Sequence, residues 1–140
     1  KTLKDVIKVV RTNKKALILS HHDFDETPSD ASLDAIVQKA HALGADITKI
    51  ATMAKNELDA ERLHLFTARN RARNLVTVAM GSKGSISRLI FPMAGSLMTY
   101  TSLSPTDGQI HPTRLIEDLR FYYPAYNEEL INRLKLLEFV

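Results

Sequence analysis

The chain reads Ala16-Leu17-Ile18-Leu19-Ser20 after its first amphipathic segment, and this apolar run is the first indication of the fold. A continuous apolar run of this length, without polar alternation, is typical of a β-strand that is covered on both faces. Such strands belong to parallel sheets on which helices pack. The order of the segments around residues 16–20 therefore decides the fold class.

Helical and strand-like segments alternate along the chain. Residues 2–12 carry apolar positions at helical spacing, and a second helix is expected to end at Gly44. Further strands are predicted, with helices between and after them, over 47–52, 75–80 and 96–101. This order predicts parallel βαβ units with right-handed crossovers. A TIM barrel has eight such strands, so the four predicted strands indicate an α/β protein containing half of a (β/α)8 barrel.

The composition fits an ordinary globular domain and excludes several classes of protein. The 140 residues are 44% hydrophobic and 25% charged, with a net charge of +3 and no cysteine. Basic runs such as 69–73 lack interleaved aromatic residues, so no nucleic-acid interface is indicated. Disulfides and thiolate metal sites are excluded, the histidines have no metal-binding spacing, and no apolar run reaches the ~18 residues of a membrane span. We expect no cofactor, metal, nucleic acid or membrane partner, and a cytoplasmic location.

Polar residues follow the predicted strands, where parallel strands of a barrel bring their carboxyl ends together. His22 follows the first strand, Arg88 lies beyond the third, and Gln109 lies beyond the fourth. Lys49 lies inside the strand predicted over 47–52. Burial lowers the pKa of an ammonium group, and a neutral amine can attack a ketone to form a Schiff base. The alternative is a lysine near the strand end whose amine extends to water, and this segment alone favours that alternative.

Four segments together resemble the signatures of one enzyme family. Residues 20–28 read SHHDFDETP and are similar to its HDFxxTP signature, and residues 44–51 read GADITKIA, like the segment around its lysine. Residues 80–88 read MGSKGSISR, similar to MGxxGxxSR, and residues 108–110 read GQI, similar to its PGQ loop. The family is type I 3-dehydroquinate dehydratase, a Schiff-base enzyme of the shikimate pathway. The ordered set is far more specific than any one segment.

The resemblance implies roles for four side chains. Lys49 would form an imine with the C3 ketone of 3-dehydroquinate, and His22 would remove the C2 proton and assist loss of the C1 hydroxyl. Arg88 would bind the substrate carboxylate as a planar bidentate donor. Gln109 would contact the substrate from a loop that closes over it.

The chain departs from the family pattern in the loop before Gln109. The family places a serine four residues before the glutamine, where this chain has Pro105 in a loop that is longer by one residue. Ser104 is expected to supply the substrate-binding hydroxyl, with Thr106 as the alternative.

The resemblance also implies that part of the barrel lies outside this chain, including the carboxylate that orients the family's histidine. We expect residues 1–123 to form the C-terminal half of the dehydratase barrel and residues 124–140 to form an additional helix. A complementary N-terminal half, or a second copy in a dimer, would complete the barrel. Two alternatives stay open: another class I Schiff-base lyase or aldolase, and a non-catalytic half barrel.

Overall fold

The computed structural model describes residues 2–122. Within them the strands are β1 (Ile18–Asp23), β2 (Ile47–Met53) and β3 (Leu75–Met80). The helices are α1 (Leu3–Thr12), α2 (Asp30–Ala42), α3 (Glu57–Arg69), α4 (Ser87–Ala94) and α5 (Pro112–Tyr122), with 3₁₀ turns at Arg71–Arg73 and Ser82–Gly84. The helix predicted within residues 124–140 lies outside the described residues.

The three strands form one parallel sheet in the order β1-β2-β3, which confirms the α/β prediction. Ser20 pairs with Lys49, and Lys49 pairs with Val76, so these three residues share one face of the sheet. We call this the site face; by alternation it also carries His22, Ala51 and Val78. The opposite face packs against helices and contributes Ile50, Leu75 and Ala79 to the core.

Helices α2, α3 and α4 cover that opposite face because each presents an apolar stripe to it. The main core cluster contains Leu33 and Val37 from α2, Leu63 and Phe66 from α3, and Phe91 from α4. Side-chain caps begin two of these helices: Ser29 accepts the Ser32 amide, and Asn56 accepts the Asp59 amide. The helices are thereby fixed at the ends that follow β1 and β2.

The strand predicted over 96–101 is wrong, because within residues 2–122 the sheet has three strands. The segment begins as a fourth parallel strand would: the Leu97 amide donates to the Leu75 carbonyl at 2.8 Å. A parallel ladder would next bond the Thr77 amide to a backbone carbonyl, but the Ser96 hydroxyl accepts that amide at 3.0 Å. A buried serine side chain therefore interrupts the ladder at its first step.

Helix α4 contains Pro92 and continues through it to Ala94. A proline inside a helix leaves the carbonyl four residues earlier without its amide donor, and here that carbonyl belongs to Arg88. The Thr99 hydroxyl donates to the Arg88 carbonyl at 2.9 Å, so the group is satisfied from outside the helix. The helix ends at Gly95, whose φ of 117° is in the left-handed region.

Strand β1 begins at Ile18 and ends at Asp23, so it starts and ends later than the prediction of 16–20. Parallel pairing with β2 continues through His22 opposite Ala51 and Asp23 opposite Thr52. The Asp23 carboxylate then accepts the amides of Asp25 and Glu26 at 3.0 and 2.9 Å, which turns the chain out of the sheet. His22 is therefore a strand residue with a fixed backbone.

Candidate functional site

Lys49 and His22 lie on the same face of two hydrogen-bonded strands. Ser20 pairs with Lys49 and His22 pairs with Ala51, so the two side chains are two residues apart in register. Partial burial of the ring lowers the pKa of His22, and the positive charges of Lys49 and then His21 lower it further. This pKa shift favours the neutral imidazole, although the residue as a whole is exposed.

The His22 imidazole stacks on Phe24, with ring centroids 5.8 Å apart and planes inclined by 10°. Phe24 itself is 69% exposed. Among residues 2–122 no carboxylate forms a salt bridge with His22. In the described part of the chain the imidazole therefore has an aromatic neighbour and no carboxylate ion pair.

The Lys49 ammonium lies over the ring of Tyr100, with Nζ 4.4 Å from the ring centroid. This cation–π contact holds a partly buried lysine that has no carboxylate partner in the described range. Sequence reasoning missed Tyr100 as a site residue. Its place near the end of the segment predicted as a strand was the signal that could have found it.

Arg88 is buried, and its guanidinium is bound mainly to backbone oxygens. Its Nη1 donates to the carbonyls of Ala79 and Gly84, the latter at 3.2 Å, and to the Ser87 hydroxyl at 3.1 Å. Burial lowers the pKa of this guanidinium. Its Nε is buried and has no acceptor within the described residues.

The residues around Arg88 explain why serine and glycine occur in this segment. The buried Ser87 hydroxyl accepts the Ala79 amide and donates to the Ala79 carbonyl, each at 3.2 Å. A Cβ on Gly84 would lie 2.5 Å from the carbonyl carbon of Ala79, so a larger residue has no room there. These contacts fix the turn between β3 and α4 on the end of β3.

Gln109 and Ser104 lie in the loop between α4 and α5, and both residues are exposed. The Gln109 side-chain Oε1 accepts the Thr106 backbone amide at 3.1 Å, and the Gln109 backbone amide donates to the Thr106 carbonyl at 2.9 Å. The Ser104 amide donates to the Ser102 hydroxyl at 3.2 Å. These bonds are local to the loop, and the hydrogen bonds of the described residues join neither side chain to Lys49.

The threonine and proline of the first signature have a structural task. The buried Thr27 hydroxyl bonds to the Thr52 hydroxyl at 3.1 Å and to the Met53 carbonyl at 2.9 Å. Arg62 of α3 donates to the carbonyls of Thr27 and Pro28 at 2.6 and 2.5 Å. The loop after β1 is therefore anchored to β2 and α3, which keeps the end of β1 in place.

The described residues offer little to a metal ion. No group of three His, Asp or Glu side chains that could bind one occurs between residues 2 and 122. No helix in the same range is long and apolar enough to span a membrane. On the site face the structure places an amine and an imidazole, those of Lys49 and His22.

Known proteins match this chain over most of its length. The family model for type I 3-dehydroquinase matches residues 1–125. The 3-dehydroquinate dehydratase of Thermodesulfovibrio yellowstonii is 42% identical over 101 residues, which cover 71% of this chain and 45% of the relative. That of Methanocella arvoryzae is 37% identical over 122 residues, covering 86% of this chain and 55% of the relative. The chain spans about half the length of the curated relatives that it matches.

Solved structures match the fold, and the chain again covers about half of each one's length. A type I 3-dehydroquinate dehydratase from Clostridium difficile superposes with a TM-score of 0.80 at 29% identity, covering 87% of this chain and 50% of that one. The enzyme from Aquifex aeolicus superposes with a TM-score of 0.75 at 30% identity, covering 87% and 56%. The prediction of a TIM-barrel fold present to about half of its length is confirmed. The chain belongs to the type I 3-dehydroquinase family.

Proposed function

We propose that this chain supplies the amine and the imidazole of a 3-dehydroquinate dehydratase, which converts 3-dehydroquinate to 3-dehydroshikimate and water. One observation carries the proposal: Lys49 and His22 lie on one face of adjacent strands, close enough for the lysine charge to lower the pKa of His22. The reaction needs an amine and a proton acceptor in that relation. Its place is the shikimate pathway, in aromatic amino acid biosynthesis.

The first step joins Lys49 to the substrate. The lone pair of the deprotonated Nζ adds to the C3 carbonyl carbon, and the carbonyl oxygen takes one proton from Nζ and a second proton from the solvent. Loss of this oxygen as water leaves a C=N bond with a positive charge on Nζ. The cation withdraws electrons from the adjacent C2–H bond, so this proton becomes more acidic.

His22 then moves the protons. Its neutral imidazole takes the C2 proton, and the bonding electrons pass through an enamine to expel the C1 hydroxyl. The imidazolium returns a proton to this leaving group, which departs as water. Addition of water to the imine releases the product and regenerates Lys49. The lowered pKa of His22 suits this sequence, because it keeps the ring unprotonated before the first transfer.

The substrate carboxylate is assigned to Arg88. Its buried Nε lacks an acceptor within residues 2–122, and a carboxylate can fill that position with a charge-assisted hydrogen bond. Gln109 is proposed to bind the substrate from the loop, together with the hydroxyl of Ser104 or Thr106. Gln109 would first have to release the Thr106 amide, which its Oε1 accepts at 3.1 Å.

The proposal includes a complementary N-terminal half, or a second copy of the chain, that completes the barrel. Helix α1 contributes no buried residue, and Leu3, Val6 and Val9 are 52%, 46% and 60% exposed. Within residues 2–122 strand β1 pairs on one side only, and Ile18 on the site face is 39% exposed. Apolar side chains beside an unpaired strand edge suit a further βα layer. The cytoplasmic location expected from the sequence remains part of this proposal.

Reductive trapping tests the proposed function. Sodium borohydride added with 3-dehydroquinate should leave a mass adduct on Lys49, located by peptide mapping. Lys49→Met should abolish the adduct, and Lys39→Met, which removes an exposed lysine on α2, should leave it unchanged. The measurement is made on the chain alone and after mixing with the N-terminal half of a relative's barrel. An adduct confined to other lysines would refute the proposal.

A non-catalytic half barrel is the second candidate. It is favoured by the exposure of His22 and by the coverage of only about half of the relatives' length. If neither the chain alone nor the mixture forms 3-dehydroshikimate, measured by its absorbance, this second candidate replaces the first.

A further inference from the structure

The loop that carries Gln109 is bound to the turn that precedes Arg88. The Asp107 carboxylate oxygen Oδ2 accepts the Ser82 amide at 3.1 Å. Beside it, Gly108 is buried, with a φ of 73°, and a Cβ there would lie 2.5 Å from the carbonyl carbon of Gly81. The two backbones therefore touch, and the carboxylate closes the contact with a charge-assisted hydrogen bond.

The same loop is closed at its base. The Ser102 amide donates to the Ile110 carbonyl at 3.0 Å, so the segment 102–110 leaves and returns at one point. Between the base and Asp107, Gln109 is bound to Thr106 through both its backbone and its side chain. A loop that is hydrogen-bonded at its base and at its tip has few accessible conformations. The hydrogen bond at Asp107 joins the tip to the turn that begins at Ser82.

The Ser82 side of the contact is equally fixed. Ser82 begins the 3₁₀ turn Ser82–Gly84, and the Gly84 carbonyl at the end of this turn accepts Nη1 of Arg88. Asp107 is thus one hydrogen bond away from the turn that holds the guanidinium.

We propose that Asp107 is a positioning residue. By accepting the Ser82 amide, it locks the Gln109 loop to the Arg88 turn, so that the two substrate-binding side chains are presented as one unit. The inference rests on the proposed function for its catalytic meaning, but the lock is a property of the chain itself. Asp107 acts through Gln109 and Arg88 and makes no contact with Lys49 among the described hydrogen bonds and ion pairs.

Amide hydrogen exchange of the 140-residue chain tests the lock directly. Asp107→Ala should raise the exchange rate of the Ser82 amide by about 10- to 100-fold, because the variant has no carboxylate to accept this hydrogen bond. Asp107→Asn, which keeps an acceptor oxygen, should raise it less. Glu61→Ala removes an exposed carboxylate on α3 and should leave the rate unchanged. Equal Ser82 exchange in the wild type and in Asp107→Ala would overturn the proposal.

A double-mutant cycle separates the lock from a general loss of folding. Ser82→Pro removes the same hydrogen bond from the donor side, since proline has no amide hydrogen. The effects of Asp107→Ala and Ser82→Pro on exchange of the Gln109 backbone amide should be strongly non-additive. Additive effects would show that the two residues act independently and would refute the lock.

Substrate binding gives the functional readout. Asp107→Ala should weaken 3-dehydroquinate binding by about tenfold, because a smaller fraction of the protein has both side chains in place. Borohydride trapping of a small aldehyde such as propanal on Lys49 should be unchanged, since it needs neither side chain. Unchanged 3-dehydroquinate affinity despite faster Ser82 exchange would refute the positioning role. If the wild type itself forms no 3-dehydroquinate adduct, the proposed function fails, and the exchange measurements still decide the lock.

Discussion

The Thr99 hydroxyl donates a 2.9 Å hydrogen bond to the carbonyl oxygen of Arg88, the carbonyl that Pro92 leaves without a helical partner. Thr99→Val should destabilise the chain by about 1–3 kcal/mol, since a partly buried carbonyl loses its donor. Pro92→Ala supplies an amide that can donate to the same carbonyl. In the Pro92→Ala background the Thr99→Val effect should therefore shrink. Urea unfolding of the four proteins measures the difference, and an unchanged Thr99→Val cost would contradict this role of the hydroxyl.

Removing the charge of Lys49 should raise the pKa of His22. Burial of the ring is the largest cause of its lowered pKa, and it persists in Lys49→Met, so the pKa rises only part of the way to its ordinary value. An NMR titration of the His22 ring protons measures this pKa in the free chain. Lys39→Met serves as the control and should leave the titration unchanged. An unchanged His22 titration in Lys49→Met would show that the two side chains do not interact.

If His22 is the base of the proposed reaction, its pKa should also set the acid limb of activity. The imidazole must be neutral to accept the C2 proton, so activity should fall as the pH drops through its pKa. His21→Asn removes a neighbouring positive charge that lowers this pKa. The acid limb should consequently move to higher pH, with little change in the rate at its plateau. A limb that moved to lower pH would contradict the assigned base.

Two glycines with left-handed backbones form a matched pair. Gly44 has a φ of 85° and open surroundings, with Arg11 Nη2 at 3.9 Å from an added Cβ, whereas Gly108 lies against Gly81. Gly44→Ala should cost about 1–2 kcal/mol for the left-handed backbone alone. Gly108→Ala should cost more, because the added methyl group would also meet the Gly81 backbone. Chemical denaturation gives the two costs, and equal values would mean that the loop does not touch the Gly81 backbone.

The ring of Tyr100 should be visible in the spectrum of Lys49. Its face lies 4.4 Å from Nζ, so the Lys49 ε-methylene protons should be shifted upfield by the ring current. Tyr100→Phe keeps the ring and should keep the shift, whereas Tyr100→Leu should abolish it. Tyr100→Leu also removes the cation–π interaction, which stabilises the chain by about 0.5–2 kcal/mol. A shift that survived Tyr100→Leu would place another group over the lysine.

The elements of the fold could be predicted wherever one local pattern dominated. The strand at 75–80 has the bounds that its apolar run predicts, because it is buried on both faces and stops at a glycine loop. The fourth strand could not be excluded from sequence, because its interruption depends on one hydroxyl, that of Ser96, meeting the Thr77 amide. The continuation of α4 through Pro92 likewise depends on a donor eleven positions away from Arg88.

The candidate site divides in the same way. Lys49 and His22 could be found from short motifs, and strand alternation in the structure places them on one face. Their roles stay predictions. For Tyr100 the one local signal was its place near the end of a predicted strand, and the Asp107 contact could not be found, because it joins segments brought together only by the folded chain. Local periodicity carries no information on contacts between segments that are distant in sequence.

The bond between Thr99 and Arg88 also connects the two proposed tasks by a short covalent path. Thr99 is the immediate neighbour of Tyr100, so the residue proposed to bind the substrate carboxylate and the ring beside the proposed nucleophile are separated by one hydrogen bond and one peptide bond. If carboxylate binding at Arg88 and modification of Lys49 are coupled along this path, each must change the affinity for the other by the same factor.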